Sequence, residues 1–377
     1  MSLLPSYFTV QVAYAPLPAP FVQALKQIEV ETAVDQASVL RLHFELSRNS
    51  WGDLDVVAFD LFRPLVPLTI RVSAGLGLPQ VLINAYVRDA RLEASNTPGA
   101  SRLEVVALDA LGSIMAHVQQ PFTWPNSPDS VVAAAIFGRY AIVPTVFPTP
   151  PMRTNLDTTT NQRDYDATYL FQLARRNNYE LYIQPDPLVG RDFGHFHPPL
   201  TNVPPQGVLS IDFGTQTNLN SFQVSNDMLA PTAVTAVSSD PRTRAPIPAI
   251  AMASVEPPMG LEPALNRILP PPIERPAGTD AASPAEMQAQ ALARASRSSR
   301  AISATGEIDG LKYNRPLVVG LPVLVRGPGR QHSGLYYVKS VTHRITRDDY
   351  TQSFSAWRNA VGLTGLEVFF DPLAAVA

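Results

Sequence analysis

Polar and apolar positions alternate with a period of two through most of the first 116 residues. In Val39-Leu40-Arg41-Leu42-His43-Phe44-Glu45-Leu46 the apolar residues Leu40, Leu42, Phe44 and Leu46 fall in phase, with charged or polar residues between them. Gln27-Ile28-Glu29-Val30-Glu31-Thr32 does the same, with Ile28 and Val30 on one side. Successive side chains of a strand point to opposite faces, so each run predicts a half-buried strand. Further runs at Tyr7 to Val12, Leu68 to Val72, Val81 to Leu92 and Arg102 to Leu108 are separated by turn residues. That spacing predicts an antiparallel barrel or sandwich. The polar face mixes both signs of charge, as a face toward solvent or a lumen would.

The period changes beyond residue 117. Ser127 is the expected N-cap of a helix with Pro128 at its first position, continuing from Val131 to Tyr140. Pro144 to Thr154 reads as a proline-rich loop. Asp164 to Asn178 is the strongest helical pattern, with Leu170, Leu173 and Ala174 as an i, i+3, i+4 stripe and Asn177-Asn178 as a left-handed stop. The strand Glu180-Leu181-Tyr182-Ile183 follows. Short strands return at Val208 to Phe213, Leu219 to Val224 and Ala233 to Val237. About a quarter of Pro241 to Pro284 is proline, which predicts an extended, polyproline-like linker or surface wrap. Ser283 and Pro284 open an Ala-rich helix that runs to Ser299. The last strands are predicted at Ala304 to Ile308, Val318-Val319, Val323 to Val325, Gly334 to Ile345 and Tyr350 to Trp357.

The fold class expected is mainly β with α+β parts: two tube-like antiparallel β-barrel modules flanking a mixed α/β domain. The first barrel would take residues 1–116 and the mixed domain 117–206. The second barrel would take 207–240 and 300–362, interrupted by a Pro-rich insertion with its Ala-rich helix at 241–299. Residues 363–377 would form a C-terminal tail. Two β modules of similar size suggest a structural repeat.

Composition narrows the function. Lys and Arg number 29 and Asp and Glu 32, a net charge of -3, which argues against a general nucleic-acid binder. Charged residues are only 16% of the chain, against a usual figure of about 25%. Much of the surface is therefore neutral or buried against partners. The absence of cysteine excludes disulfides, thiolate catalysis and Cys-ligated metal sites. Met1 to Tyr14 lacks the charged-then-apolar order of a secretory signal, and no run reaches the roughly 18 apolar residues of a membrane span, so no membrane insertion is expected.

Few residues suggest chemistry. His195-Phe196-His197 would put two imidazoles on one strand face, with Asp192 as a possible carboxylate ligand; the alternative is a packed pair or a solvated loop. Asp53-Leu54-Asp55 and Asp348-Asp349 are acidic pairs of the kind glycosidases use, but acidic turns are common. Arg175-Arg176 at a helix end suits the macrodipole. Gly75-Leu76-Gly77 and Gly327-Pro328-Gly329 lack the third glycine and the strand–helix context of a nucleotide loop and read as turns. No catalytic, cofactor or metal residues are assigned.

The most distinctive stretch lies near the C-terminus: Ser333-Gly334-Leu335-Tyr336-Tyr337-Val338-Lys339-Ser340-Val341-Thr342-His343, then Asp349-Tyr350-Thr351-Gln352-Ser353-Phe354, ending at Arg358-Asn359. By alternation Leu335, Tyr337, Lys339 and Val341 share one face, and Tyr336, Val338, Ser340 and Thr342 the other. This run resembles the phage late control D family, tail hub proteins similar to the hub domains of type VI secretion spike proteins. Ser333, Gly334, Tyr336, Tyr337, Val338, Val341, His343, Tyr350, Arg358 and Asn359 carry the resemblance as structural residues. The helix with Tyr169-Leu170-Phe171-Gln172-Leu173-Ala174-Arg175 and the following strand are also similar. The Pro241–Pro284 insertion departs from the family by its length and its proline content.

The resemblance implies a non-enzymatic homotrimer. Two barrels in each of three copies would make a pseudo-six-fold ring joining a hexameric tail tube to a trimeric spike. The implied partners are the chain itself, a tail tube protein, a spike or spike-tip protein and other baseplate proteins. No cofactor and no nucleic-acid specificity are implied. The implied place is the baseplate of a virion tail or phage-tail-like particle, assembled in the bacterial cytoplasm. The alternatives are a tail-associated cell-wall or glycan hydrolase and a β-rich glycan-binding adhesin.

Overall fold

The alternation along Val39–Leu46 is also its burial pattern: Leu40 and Leu42 are fully buried, and Arg41 on the other face pairs with Glu29 at 2.9 Å. The structure is a computed structural model that describes residues 7–48, 50, 52–54, 60–74, 78–97, 99–149, 161–239, 244–276 and 284–371. Asp55, Gly75-Leu76-Gly77 and Ser283 lie outside them.

The first module contains β1 (Tyr7–Val12), β2 (Ala15–Pro16), helix α1 (Ala19–Ala24), β3 (Leu25–Ala33), β4 (Val39–Leu46), β5 (Pro67–Ser73), β6 (Gln80–Glu93) and β7 (Ser101–Leu108). Its antiparallel order is β3-β4-β7-β6-β5-β1-β2. The first half of β6 pairs with β5 and the second half with β7, with a register shift between Val87 and Asp89. An extra residue bends a strand, so one long strand serves both sides of the curved sheet. Ile28, Val30, Leu68, Ile70, Val72 and Val105 fill the core. Phe21 of α1 packs edge-on against Phe44 and Phe62.

The mixed part contains β8 (Phe122–Thr123), α2 (Asp129–Arg139), β9 (Val143–Val146), β10 (Asn161–Gln162), α3 (Asp166–Asn177), β11 (Glu180–Pro185) and β12 (Asp192–His197). Strands β11, β12 and β9 form a small sheet against which the two helices pack, around Ile136, Phe137, Leu170 and Leu173. The stop at α3 is as the sequence predicts, with Asn178 at φ 56°. The start of α2 is not. Pro128 occupies the N-cap position, and the Ser127 hydroxyl donates to the Pro125 carbonyl instead. The Ser130 amide at the helix start is satisfied by Thr149 Oγ1 at 2.9 Å, a tertiary cap that local spacing does not encode.

The second module contains β13 (Val208–Ser210), β14 (Leu219–Asn226), β19 (Ile302–Asp309), helix α5 (Gly310–Tyr313), β20 (Pro322–Arg326), β21 (Gly334–Ile345) and β22 (Tyr350–Arg358). The pairing runs β14-β19-β22-β21-β20-β13. Asn218 joins the two ends of this path. Its Oδ1 accepts from the Ser210 amide at 2.8 Å, its Nδ2 donates to the Val208 carbonyl at 3.0 Å, and its own amide donates to the Ser210 carbonyl. The strand expected at Val318-Val319 is absent. The Gln206 side chain takes up both backbone groups of Val318, at 2.8 Å each, and so replaces a strand partner.

The two modules share one hydrogen-bonded sheet. β3 pairs with β4 on one edge and with β21 on the other, from Ile28↔Ile345 to Ala33↔Ser340.

The insertion is folded rather than an unpatterned wrap. β15 (Ala233–Ser239), expected in the second module, pairs with β16 (Pro246–Ala251) and β18 (Ile273–Glu274) in a separate sheet. Helix α4 (Pro284–Ser299) covers one face, where Val234, Ala236, Ile247, Ala249 and Ala251 meet Met287, Ala291 and Ala295. The alternation in Pro246-Ile247-Pro248-Ala249-Ile250-Ala251 is hidden by its prolines, which sit on the exposed face of an edge strand, where a missing N–H costs little. The short strands β17 (Glu262–Pro263) and β23 (Ala360–Val361) pair and tie the insertion to the end of the second module.

Removing the Asn218 side chain should be costly out of proportion to its size. Asn218→Ala leaves the buried Ser210 amide and Val208 carbonyl unpaired, at about 1–3 kcal/mol each. A loss of about 2–4 kcal/mol is expected in urea titration. A change below about 0.5 kcal/mol, the ordinary scatter of surface substitutions, would mean that the ends of the strand path do not depend on this residue.

Candidate functional site

The hairpin of β21 and β22 contacts three other units of the chain. A register shift lies between Val338 and Ser340, and it changes the phase of β21. Val338 and Val341, predicted on opposite faces, therefore share the core of the second module with Tyr336. The extra residue at the shift is Lys339, which is exposed. Tyr337 faces the other way, against Trp357 at 5.0 Å between ring centroids and beside Met259 of the insertion.

Arg358 is fully buried and acts through backbone carbonyls. Its guanidinium donates to Ser333 O at 3.0 Å, Met259 O at 3.0 Å and Gly362 O at 2.9 Å, and lies 5.1 Å from the Tyr336 ring centroid. A planar fork with five donors suits several fixed acceptors at once. Gly260 allows the close approach: a Cβ there would stand 2.5 Å from the guanidinium. Asn359 completes the fastening. Its Oδ1 accepts from the Met259 amide at 2.9 Å, its Nδ2 donates to Pro257 O at 3.0 Å, and its carbonyl accepts from the Ala264 amide. Arg358 and Asn359 together pin the 257–264 segment to the second module. Ser333 and Gly334 form the other wall: the Ser333 amide donates to Gly329 O, and Gly334 has φ 128°.

On the opposite face, the Tyr337 hydroxyl donates to the Glu180 carboxylate at the start of β11. Burial pushes the Glu180 carboxyl up to about 8, against the opposing pull of Arg300 and of the Tyr337 hydroxyl. Arg300 binds Glu256 through its Nε at 3.1 Å and lies 4.5 Å from the Trp357 ring centroid. Asp35, in the turn after β3, exchanges bonds with Leu181: its carboxylate accepts from the Leu181 amide and its own amide donates to the Leu181 carbonyl. Burial raises its pKa above the ordinary carboxylate value. Sequence spacing gave no sign of this polar junction, because Asp35, Glu180, Glu256, Arg300 and Tyr337 are scattered over some three hundred residues.

His343 and Tyr350 lie within the joint itself. The His343 Nδ1 and Tyr350 hydroxyl are 2.9 Å apart, and burial lowers the imidazole to about 3, so the ring is neutral. Gln352 beside them accepts from the Leu317 amide and donates to Arg315 O.

The other candidates have local roles. His195 and His197 do share a strand face, with His195 Nδ1 at 3.2 Å from His197 Nε2. Tyr182 stacks on His195 at 4.4 Å, and His197 Nδ1 donates to Pro198 O. Asp192 turns to Asn84 Nδ2 at 2.8 Å. Among the described residues no group of three or more His, Asp or Glu could hold a metal ion. Asp53 lies in an exposed bend and Asp348-Asp349 in the β21–β22 turn. Arg176 binds Asp129 of α2, with Nε at 3.0 Å, and so joins the two helices. Gly327 and Gly329 are turn residues at φ 108° and 94°. Among the described residues, no helix is long and apolar enough to cross a membrane.

The clamp and the junction can each be tested by one substitution. Arg358→Met strands three carbonyls and should destabilise the chain by about 3–5 kcal/mol. It should also speed hydrogen exchange at the Met259 and Ala264 amides; unchanged protection there would refute the clamp. Glu180 binds its proton more tightly folded than unfolded, so its contribution is complete below about pH 4.5 and is lost as pH rises to about 8. Buried Asp109 and Asp192, raised to about 6, act in the lower part of that window, where the depressed histidines act oppositely. Glu180→Gln should therefore flatten the fall in urea midpoint between about pH 6.5 and 8, and an unaltered slope would count against the assignment.

No protein-family model and no curated protein matches this chain. Solved structures do. A tail protein from Neisseria meningitidis MC58 superposes with a TM-score of 0.67 at 12% identity, covering 94% of this chain and 97% of that one. The 43 kDa tail protein of prophage MuSo2 from Shewanella oneidensis gives 0.67 at 11% identity, covering 94% and 99%. The E. coli c3393 protein is a component of the type VI secretion system with structural similarity to the T4 bacteriophage tail proteins gp27 and gp5. It gives 0.56 at 11% identity, covering 93% and 76%. Over nearly its whole length, this chain has the mainly β fold of phage tail proteins.

Proposed function

We propose that this chain is a structural hub: three copies form a pseudo-six-fold ring between a hexameric tail tube and a trimeric spike. The observation that carries the reading is the joint between β3 and β21. It fuses two β modules, each with its own core, into one continuous sheet. Two ring segments held in fixed relation within one chain are what a three-copy adaptor needs to face a six-fold partner. The likeness to phage tail proteins supports a structural role in a tail. In this reading residues 1–116 and the strands β13, β14, β19, β20, β21 and β22 supply the ring, and the mixed domain at 117–206 braces it. The partners are then tube, spike and other baseplate proteins. The place is a virion tail or phage-tail-like particle, assembled in the bacterial cytoplasm.

The role is architectural rather than enzymatic. The buried acids Glu180, Asp35 and Asp109 are engaged by backbone or hydroxyl donors, Asp53 lies in an exposed bend, and Asp348-Asp349 lies in the β21–β22 turn.

Native mass measurement is the direct test. At tens of micromolar the purified chain should have the mass of three 40.9 kDa chains, alone or on addition of its tube or spike partner. A single-chain mass under all those conditions would refute the hub reading.

A further inference from the structure

One guanidinium stands between two buried carboxyls where the insertion, the mixed domain and the second module meet. Arg300, which follows α4, holds Glu256 of the insertion, with its Nε 3.1 Å from both carboxylate oxygens. Glu180, at the start of β11, is buried and receives the Tyr337 hydroxyl. Burial raises its pKa, Arg300 and the Tyr337 hydroxyl pull it down, and Asp35 and Glu256 push it up further. The neighbouring groups on the other elements do not offset a second negative charge. Tyr337 of β21 and Tyr182 of β11 are raised by burial and keep their protons. His197, paired with Glu180 across β12, is lowered by burial and is neutral at pH 7. Lys339 and Arg175 act on Asp35, whose carboxylate also accepts from the Leu181 amide.

The charge count follows from these contacts. With a proton on Glu180 the site holds one buried ion pair, Arg300 with Glu256. Without that proton, two buried carboxylates share one guanidinium, and the charge left over is costly in a buried site. Two movements relieve it. Glu180 leaves for water as the start of β11 opens, or Arg300 turns from Glu256 to Glu180. While Glu256 keeps Arg300, the first route is the available one. Such an opening releases Leu181 and Asp35, because each donates its amide to an oxygen of the other.

We propose that Glu180 is a proton-operated latch. Protonated, it holds the start of β11 against Tyr337. Deprotonated, it swings out and frees that end of the mixed domain from the second module, and Glu256 sets the threshold by keeping Arg300 occupied. The latch lies within one chain and does not depend on the hub reading.

The open form has the ordinary carboxyl value of 4.5 at Glu180 and the closed form a value of about 8. Opening therefore releases one proton between those limits. Its equilibrium constant should rise about tenfold per pH unit from about pH 5 to 8 and level off above. Hydrogen exchange of the full chain, corrected for the intrinsic pH dependence of amides, reads this at Asp35 and Leu181, with the amides of β19 as reference. Glu180→Gln should remove the slope and keep both amides protected. Glu256→Gln should free Arg300 for Glu180, so that the rise levels off about 1–3 pH units lower. Thermal melts confirm that each variant folds. No added slope at the two wild-type amides, an equal slope throughout β19, or a slope that survives Glu180→Gln would each overturn the latch. A Glu256→Gln chain that levels off where the wild type does would overturn the competition for Arg300.

Discussion

The pairing of β3 with β21 is the constraint on which the rest of the architecture depends. It brings together residues some three hundred positions apart, from Ile28↔Ile345 to Ala33↔Ser340. Closing so long a loop carries an entropic cost, though one that grows only slowly with length. The return is that neither strand is left as a bare edge, where unpaired N–H and C=O groups would invite wrong partners. β3 lies between β4 and β21 with Ile28 and Val30 fully buried. Rotating one module against the other would break six consecutive residue pairs. The joint continues past the strands, through the Val34 amide on Lys339 O and the exchange between Asp35 and Leu181. Three units are thereby set in one geometry.

Around this joint the chain buries polar groups rather than more leucine. Apolar side chains tolerate many packings, whereas a buried polar group left unpaired is expensive. Arg358 fits where three carbonyls converge, and Asn359 where an amide and a carbonyl of the insertion are presented in the right order. Such contacts make a displaced insertion or a slipped β11 costly, so they select one arrangement among several that would bury the same area. The neutral His343 against Tyr350 and the raised Glu180 against Tyr337 belong to the same set.

What could be read from the sequence follows from which forces are local. The strands of the first module were legible because one face is wet, so that Val39–Leu46 keeps a clean period of two and Ile28 and Val30 of β3 fall in phase. Helix α3 was legible because its stripe and the left-handed Asn178 lie within one short stretch. The fold of the insertion was not. Its strands are built from proline and alanine, and their partner is an Ala-rich helix that looks polar by itself. Nor was the phase of β21, since a single bulge at Lys339 moves Val341 to the face of Val338. The cap on α2 comes from Thr149, and the partner of Val318 is Gln206. Both are side-chain substitutes for backbone pairing, and no spacing rule finds them.

The C-terminal run of Ser333 to Asn359 stands out in the sequence for a different reason. A core valine can give way to another apolar residue of similar volume if its neighbours adjust. Residues whose partners are backbone atoms of another unit have no such freedom. Arg358 and Asn359 grip backbone atoms of the insertion, and Gly334 opens β21 at φ 128° beside the guanidinium, while Tyr337 reaches a side chain, the Glu180 carboxyl at the start of β11. Each demands one residue type at one position, and all fall within a single hairpin because that hairpin is where β3, the mixed domain and the insertion converge. A motif can therefore mark a junction as sharply as it marks a catalytic centre. Here the run of tyrosines, histidine and arginine is occupied with carbonyls, amides and the buried Glu180 carboxyl. Its work is to fix the angle between modules.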